Sequence, residues 1–349
     1  MQLKCKHFVV TRLGVGIYDE ARLMKLIELF EAVTLPSLLH QSSQEFIWLV
    51  GIDAAIPEVC RFKLEKLFRG HSHYHLVPID VTNLLHVRVA CFDWVWDCYQ
   101  DFILETGLLE DPGDYVITSV IDADDAWHRD VIATVSKLVA DKLPAAAKMT
   151  ESRGTWLMHS AGLAITFPNG YAWYISDSKI WPMKEEFRSM AVFIASRFSS
   201  GISACSCRHT KWRQYSEILE FEVIPWTGGQ PMWIYTRHDE AVGNWDSNPA
   251  MPMPAVFEGR LVESFGIDIA KLKNWCATYP PHYSGTKGFS QEAALQFDLF
   301  FQIAGLNRKI RALSKRLNSE HGKCFDRNQE LEECKAKRER LITMLQHKA

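Results

Sequence analysis

Four apolar, β-branched or aromatic runs alternate with four amphipathic segments in the first 143 residues, and this alternation constrains the fold more than any other feature of the chain. The runs have the composition and turn-bounded length of buried strands, and the segments between them have the apolar spacing of helices. The predicted strands are 7–15, 45–53, 73–80 and the run ending in YVITSVIDADD; the predicted helices are 19–40, 57–68, 84–104 and 130–143. Strands that alternate with helices form a mostly parallel sheet with right-handed crossovers. The sequence therefore predicts an α/β fold.

Polar residues follow the ends of these predicted strands. Thr11 and Arg12 follow the first apolar run, Asp53 ends the second and Asp122 ends the fourth. Ligands of parallel sheets bind beyond the carboxyl ends of the strands. We therefore expect these residues, although far apart in sequence, to line one crevice.

The fourth predicted strand ends in a dense acidic group, Asp122, Asp124 and Asp125, within the sequence ITSVIDADDAWH. Carboxylates this close at the exit of a buried strand repel one another and lose solvation. Proteins keep such groups mainly where a hard cation or a hydrogen-bonded sugar hydroxyl neutralises them. Asp125 is interpreted as the N-cap of the next helix. Asp122 and Asp124 are interpreted as a metal and nucleotide-sugar site.

The overall composition excludes several classes of function. The chain has 349 residues, 47% of them hydrophobic, and its formal net charge of -3 gives no case for a nucleic-acid partner. No run approaches the ~20 apolar residues that span a bilayer, and the first residues lack the pattern of a signal peptide. We therefore expect a cytoplasmic protein without a transmembrane segment, free in solution or peripheral at the inner membrane face.

The position of the acidic group after three strand-helix units resembles the GT-A class of glycosyltransferases. In that class a D-x-D motif ends the fourth strand of a Rossmann-type nucleotide-binding sheet, and DADDAW here is similar to a common form of it. The resemblance extends to three further positions. It implies that Thr11 meets the nucleotide, that Asp53 lies near the base, and that Arg88 is the basic residue on the helix before the motif.

Within that class the chain most resembles the putative rhamnosyltransferase family. The matching segments are VVTRL and TSVIDADD, followed by CSCRHTKW and PMWIYTRHDEAVGNW, which supply His209, His238 and Asn244. The resemblance covers about residues 7–250. It departs before the first Asp, where Val120 and Ile121 replace the usual basic residue.

The resemblance implies a metal-dependent glycosyltransferase. The expected donor is a nucleotide sugar that carries a deoxyhexose such as rhamnose, and the expected acceptor is a surface polysaccharide or a glycolipid. Mn²⁺ or Mg²⁺ would stabilise the diphosphate leaving group. Asp124 would bind the metal directly, Asp122 would bind the ribose or the metal, and His238 would be a late third ligand. Arg12 and Arg88 are candidates for contact with the diphosphate.

An inverting reaction also needs a carboxylate that takes the proton of the acceptor hydroxyl. The candidate bases are Asp177, Glu186 and Asp239, with Glu185 and Glu240 beside them. The sequence does not choose among these carboxylates.

The regular alternation stops near residue 145, and the rest of the chain divides by composition. We predict a GT-A-like catalytic domain over 1–254, with a nucleotide-binding half (1–143) and an acceptor half (144–254) built of short β-like runs. Residues 255–289 are predicted to be a connector. Residues 290–349 have apolar residues at alternating four- and three-residue spacing, typical of a helical tail or coiled coil. This tail either packs on the body or pairs with a second copy to form a homo-oligomer.

Two other functions fit the same features. One is a non-catalytic sugar-nucleotide-binding scaffold that assembles through the tail. The other is a metal-dependent nucleotidyltransferase or phosphohydrolase, which can also place acidic residues at strand ends. The absence of a G-x-x-x-x-G-K-S/T loop from the sequence disfavours phosphoryl transfer.

Overall fold

The computed structural model describes residues 5–79, 93–111, 113–152, 162–175, 179–206, 209–219, 221–238, 251–252, 255–280 and 325–347. All structural statements below concern these ranges. They form two sheets, with helices on both sides of the larger one.

The larger sheet begins with four parallel strands, as the sequence predicts. These are β1 (Lys6–Arg12), β2 (Ile47–Asp53), β3 (Tyr74–Ile79) and β4 (Tyr115–Val120). β1 lies between β2 and β4, and β3 lies beside β2. Their carboxyl ends therefore meet along one edge of the sheet.

Helices connect these strands and cover the sheet. They are α1 (Glu20–Ala32), α2 (Thr34–Leu39), α3 (Glu58–Phe68) and α4 (Asp93–Glu105). The side chain of Asp19 caps α1 by accepting a hydrogen bond from the backbone N–H of Arg22 at 2.7 Å. The predicted helix over 19–40 is divided at Val33, close to Pro36, as a proline near a helix start allows.

Three strands from beyond residue 143 complete the larger sheet. They are β6 (Leu163–Thr166), β9 (Val192–Arg197) and β10 (Glu222–Pro225), and the strand order is β10-β6-β9-β4-β1-β2-β3. β9 is antiparallel to both of its neighbours, whereas β10 and β6 are parallel. The mostly parallel α/β fold is therefore confirmed, and its main sheet draws strands from both predicted halves of the domain.

The smaller sheet starts directly after the acidic group. It contains β5 (Ala126–Trp127), β7 (Asn169–Tyr174), β8 (Lys179–Lys184), β11 (Trp233–Arg237) and β12 (Met251–Pro252), in the order β12-β8-β7-β11-β5. β5 pairs with β11 in antiparallel register, Trp127 opposite Trp233 and Ala126 opposite Ile234. The chain thus passes from the end of β4 into the second sheet within a few residues.

Further helices complete the described part of the fold. They are α5 (Val131–Ser152), α6 (Trp212–Leu219), α7 (Ala255–Phe265) and α8 (Ile269–Thr278). The segment predicted as a connector therefore contains α7 and α8, whose Leu261, Phe265 and Trp275 are buried against α1 and the smaller sheet.

The predicted helical extension is present as α9 (Phe325–His347), in which Leu331 and Cys334 are buried. Residues 290–324 lie outside the described ranges, and pairing between two copies of the tail stays a prediction. Within the ranges described, no helix combines the length and the apolar character needed to cross a membrane.

Candidate functional site

The acidic turn, residues 122–125, lies at the carboxyl-terminal edge of the parallel strands. The backbone N–H of Ile121 donates to the carbonyl of Val10 at 3.0 Å, which continues the pairing of β4 with β1 up to the turn. The turn closes where the N–H of Asp125 donates to the carbonyl of Asp122 at 3.2 Å. The acidic side chains therefore stand where ligands of such sheets bind.

Asp124 meets His238 at this edge, although 114 residues separate them in the chain. Nε2 of His238 lies 2.9 Å from Oδ2 of Asp124, a hydrogen bond in which the ring N–H donates to the carboxylate. His238 directly follows β11 and is buried, with its ring packed edge-on against Trp275. The side chain of Asp124 keeps 25% of its surface exposed. The structure thus brings these two predicted ligands together.

Asp125 does not cap a helix, so that interpretation of the sequence is wrong. α5 begins six residues later, at Val131, because the chain first forms β5. The Asp125 side chain instead turns toward β11, where its Oδ1 accepts the N–H of Thr236 at 2.8 Å. It is completely buried, and burial, followed by the charges of Asp124 and Asp122, raises the pKa of Asp125 well above its ordinary value.

Two threonines from different elements, neither singled out in the sequence analysis, donate hydrogen bonds to the backbone of the acidic turn. The hydroxyl of Thr236 donates to the carbonyl of Asp124 at 2.5 Å, and the hydroxyl of Thr34, from α2, donates to the carbonyl of Asp125 at 2.8 Å. Both threonines are fully buried. A sequence signal for Thr236 existed in the strand WIYTR, since it lies two residues before the predicted ligand His238.

Asp122 is half-buried and accepts a hydrogen bond from the hydroxyl of Ser189 at 3.1 Å. Burial raises the pKa of Asp122, and the charge of Asp124 acts in the same direction. Arg12 and, more weakly, the Ser189 hydroxyl and His209 oppose that rise. Arg12, predicted to contact the diphosphate, and His209 therefore both lie in the electrostatic surroundings of Asp122.

Asp53 lies at the end of β2 and is buried. Its Oδ2 accepts a hydrogen bond from the hydroxyl of Tyr18 at 2.9 Å, and its Oδ1 accepts the backbone N–H of Ala55 at 2.8 Å. These contacts fix the loop after β1 to the end of β2. The predicted proximity of Asp53 to a nucleotide base stays a prediction.

Thr11 lies in β1, but its side chain is in the core rather than at the edge of the sheet. It is fully buried, and its Oγ1 accepts the indole N–H of Trp48 at 2.9 Å. Its carbonyl accepts the hydroxyl of Tyr99 at 2.7 Å. The structure thus gives Thr11 partners within the protein, and its predicted contact with a nucleotide stays a prediction.

The structure describes only one of the three candidate bases. Oε2 of Glu186 pairs with the exposed guanidinium of Arg213 at 2.5 Å. Asp177 and Asp239 lie outside the described residues, as do Arg88 and Asn244.

An aromatic and basic cluster beside the turn was not predicted. The guanidinium groups of Arg237 and Arg188 lie 3.8 and 4.5 Å from the centre of the Tyr235 ring. Burial raises the pKa of Tyr235 to about 12, and the charge of Arg237 acts in the opposite direction. Tyr235 therefore stays protonated near neutral pH. Alternation along β11 puts Tyr235 and Arg237 on the face opposite Thr236.

Asp124 and His238 are suitable to supply two of the ligands of a divalent cation whose other ligands come from a bound molecule and water. Mg²⁺ binds oxygen at about 2.1 Å in octahedral geometry, so neighbouring ligand atoms are about 3.0 Å apart. The observed separation of 2.9 Å is that of a hydrogen bond, and an ion bound to both atoms could take the place of its proton with little change in that distance. In the part of the chain that the structure describes, no three His, Cys, Asp or Glu side chains converge as a complete metal site. Such an ion typically takes its remaining ligands from phosphates and water.

Comparison with known proteins identifies one matching family. The model described as "Putative rhamnosyl transferase" matches residues 14–252. No curated protein matches the chain significantly.

Three solved structures show a distant likeness to this chain. The crystal structure of residues 1–349 of TarS from S. aureus in complex with UDP has 11% identity and a TM-score of 0.36, over 88% of this chain and 82% of that one. The longer S. aureus TarS structure has 10% identity and a TM-score of 0.34, over 90% and 50%. The apo bifunctional glycosyltransferase WbbM has 11% identity and a TM-score of 0.27, over 63% and 34%. Likeness this distant carries no statement about what the present chain binds.

Proposed function

Because this chain belongs to the putative rhamnosyl transferase family and is a glycosyltransferase, we propose that it moves a deoxyhexose such as rhamnose from a nucleotide-sugar donor to a polysaccharide or glycolipid acceptor, with the help of Mn²⁺ or Mg²⁺. The observation that carries the proposal is the approach of Asp124 and His238 at 2.9 Å on the edge where parallel sheets bind ligands.

Asp124 and His238 would hold the cation together with oxygens of the donor diphosphate. The cation would supply positive charge to the diphosphate as the glycosidic bond breaks. Asp124 offers a partly exposed carboxylate, and His238 offers Nε2 in the tautomer whose proton is on Nδ1. A cation bound to both atoms would replace the hydrogen bond between them, and their 2.9 Å separation means that the two atoms already lie close together.

Asp122 would accept a ribose hydroxyl of the donor or share the cation. Arg12 would contact the diphosphate, since guanidinium groups match two phosphate oxygens at once. Its electrostatic contact with Asp122 supports this role, because it puts the positive charge beside the acidic turn. Asp53 would lie toward the base, at the end of the neighbouring strand.

The acceptor proton would go to a carboxylate, for which Asp177 and Asp239 are the leading candidates. In the sequence, Asp177 falls between the segments that form β7 and β8, and Asp239 follows His238 directly. Glu186 is less suited, since its Oε2 already accepts a hydrogen bond from Arg213.

The test is donor binding and turnover with and without Mn²⁺. Wild-type protein is screened against UDP-, dTDP- and GDP-sugars, including dTDP-rhamnose, by thermal shift and by release of nucleoside diphosphate. We expect one donor class to raise the melting temperature in Mn²⁺ but not in EDTA, since a ligand of the folded state stabilises it. The same donor should release an intact nucleoside diphosphate.

Asp124→Asn and His238→Gln should lose the Mn²⁺-dependent response. Asp141→Asn, at a side chain with 67% of its surface exposed, is the matched control and should keep it. The proposal fails if folded Asp124→Asn protein binds and turns over the donor as well as wild type does in Mn²⁺. Cleavage between the two phosphorus atoms would instead indicate a phosphohydrolase or nucleotidyltransferase.

A further inference from the structure

The antiparallel ladder between β5 and β11 ends just where the acidic turn begins. Its last backbone pair is Ala126 opposite Ile234, so continuing the same register would put Asp125 opposite Tyr235 and then Asp124 opposite Thr236. The chain bends away at the turn, and side chains take over the pairing. The N–H of Thr236 donates to Oδ1 of Asp125, and its hydroxyl donates to the carbonyl of Asp124.

Thr34 donates to the backbone of the same turn from a different element. Its hydroxyl donates to the carbonyl of Asp125 at 2.8 Å and lies 3.4 Å from that of Asp122. Thr34 belongs to α2 and Thr236 to β11, and neither is accessible to water. Water cannot readily replace these hydrogen bonds because neither hydroxyl is accessible to it. A shift of the turn would therefore leave buried polar groups without partners, which is costly.

The position of His238 depends on the same strand. His238 lies two residues after Thr236, and residues two apart along an extended strand point to the same side. The bond from Thr236 to the carbonyl of Asp124 therefore ties the backbone that carries the carboxylate to the backbone that carries the imidazole. A relative shift of about 1 Å would lengthen the contact between the two side chains beyond hydrogen-bond distance.

We propose that Thr236, with Thr34 supporting the turn from α2, is a positioning residue that sets the separation of Asp124 and His238 and thereby the affinity of the site for a divalent cation. Neither threonine would be a ligand of the cation, because both hydroxyls donate to backbone carbonyls of the turn. Groups that orient metal ligands in this way typically contribute about 10-fold to 100-fold in metal affinity. The inference rests on the proposed metal-dependent function.

The experiment compares two buried threonines that each lose hydroxyl hydrogen bonds. Thr236→Val removes the donor to Asp124, whereas Thr118→Val removes contacts in β4 with Ile194 and Ala204, away from His238. Thr118 is also fully buried, so both valines should lower the melting temperature in EDTA. Thr236→Ser keeps the hydroxyl and is the conservative variant.

The readout is the Kd for Mn²⁺, measured by calorimetry and by titrating the melting temperature with Mn²⁺. Each titration is done with Mn²⁺ alone and again with whichever of UDP, dTDP and GDP the wild type binds. We expect Thr236→Val to raise this Kd about 10-fold or more, Thr236→Ser to stay within about 3-fold of wild type, and Thr118→Val to leave it unchanged. If Thr236→Val does not fold, Thr34→Val tests the hydrogen bond from α2 to the turn and carries the same expectation.

An unchanged Kd in folded Thr236→Val, or in Thr34→Val where that variant is used, would overturn the positioning role while leaving the proposed function standing. A wild-type protein that shows no response to Mn²⁺ in any titration would overturn the metal-dependent function and this inference together.

Discussion

His7 provides a quantitative test of the core beneath the site. It lies near the start of β1 and is buried, and its Nε2 is 2.9 Å from the hydroxyl of Ser119 on β4. Burial lowers the pKa of His7 to about 3, from an ordinary value of 6.5. In the folded protein the ring is therefore neutral at any pH at which the protein would normally be studied.

The direction of the pH effect follows from this shift. Since the folded-state pKa lies below the unfolded one, the unfolded chain binds the proton more readily between the two values. The contribution of neutral His7 is fully present above the unfolded pKa and is lost as the pH falls from about 6.5 toward 3. The complete shift corresponds to about 5 kcal/mol, and about 2 kcal/mol of it is already lost at pH 5.

The perturbation is His7→Gln, whose amide can reach Ser119 but does not titrate. Urea unfolding of wild type and variant at pH 8 and pH 5 gives the loss of unfolding free energy on acidification. We expect that loss to be about 2 kcal/mol smaller in His7→Gln than in wild type. Ser119→Ala is the control: it should lower stability at both pH values by about 1–3 kcal/mol yet keep the pH dependence, because His7 remains. Equal pH dependence in wild type and His7→Gln would refute this account of His7.

Three further predictions concern the strands and residues around the site. Gly170→Ala would put a Cβ 2.1 Å from the Trp233 ring, so the indole or the strand β11 that carries it must shift. We expect a loss of about 1–3 kcal/mol in urea unfolding and weaker Mn²⁺ binding. Unchanged values for both would contradict this close approach of Gly170 to Trp233. Glu186→Gln should keep turnover within about 10-fold because its oxygen is engaged by a surface arginine, and a loss of more than about 100-fold would identify Glu186 as the base. Thr11→Val should cost about 1–3 kcal/mol because it deprives the Trp48 indole of its acceptor, with nucleotide affinity in calorimetry unchanged; a selective loss of affinity would instead support the predicted nucleotide contact.

The central strands and helices could be predicted because their signals are local. Buried parallel strands are continuous apolar runs, and the helices between them repeat their apolar residues at a period near 3.6, so β1 to β4 and the helices α1 to α3 follow from the pattern alone. The location of Asp122 and Asp124 at the edge of the sheet follows from the same pattern, since both lie at the end of the fourth predicted strand.

Predictions that depended on a single residue type were less secure. Asp after a strand and before a helical pattern favours an N-cap, but Asp125 pairs with β11 because two residues of β5 come between the turn and α5. Strand β5 is too short to give a periodic signal. It forms only by pairing with β11, more than a hundred residues away in the sequence, and the residues near the turn do not indicate which segment they pair with.

The sequence by itself determined the alternating fold and the position of the acidic group at the end of a strand, and the family resemblance added His238 as a candidate ligand. Only the tertiary structure decided that His238 meets Asp124 at 2.9 Å, that Thr34 and Thr236 hold the turn, and that the Thr11 hydroxyl is bonded within the core. The physical reason is that periodicity records which face of an element is buried, whereas the contacts of an edge depend on how two sheets are joined. Here that junction is the antiparallel pairing of β5 with β11, which brings Asp124 and His238 within hydrogen-bond distance although 114 residues separate them in the sequence.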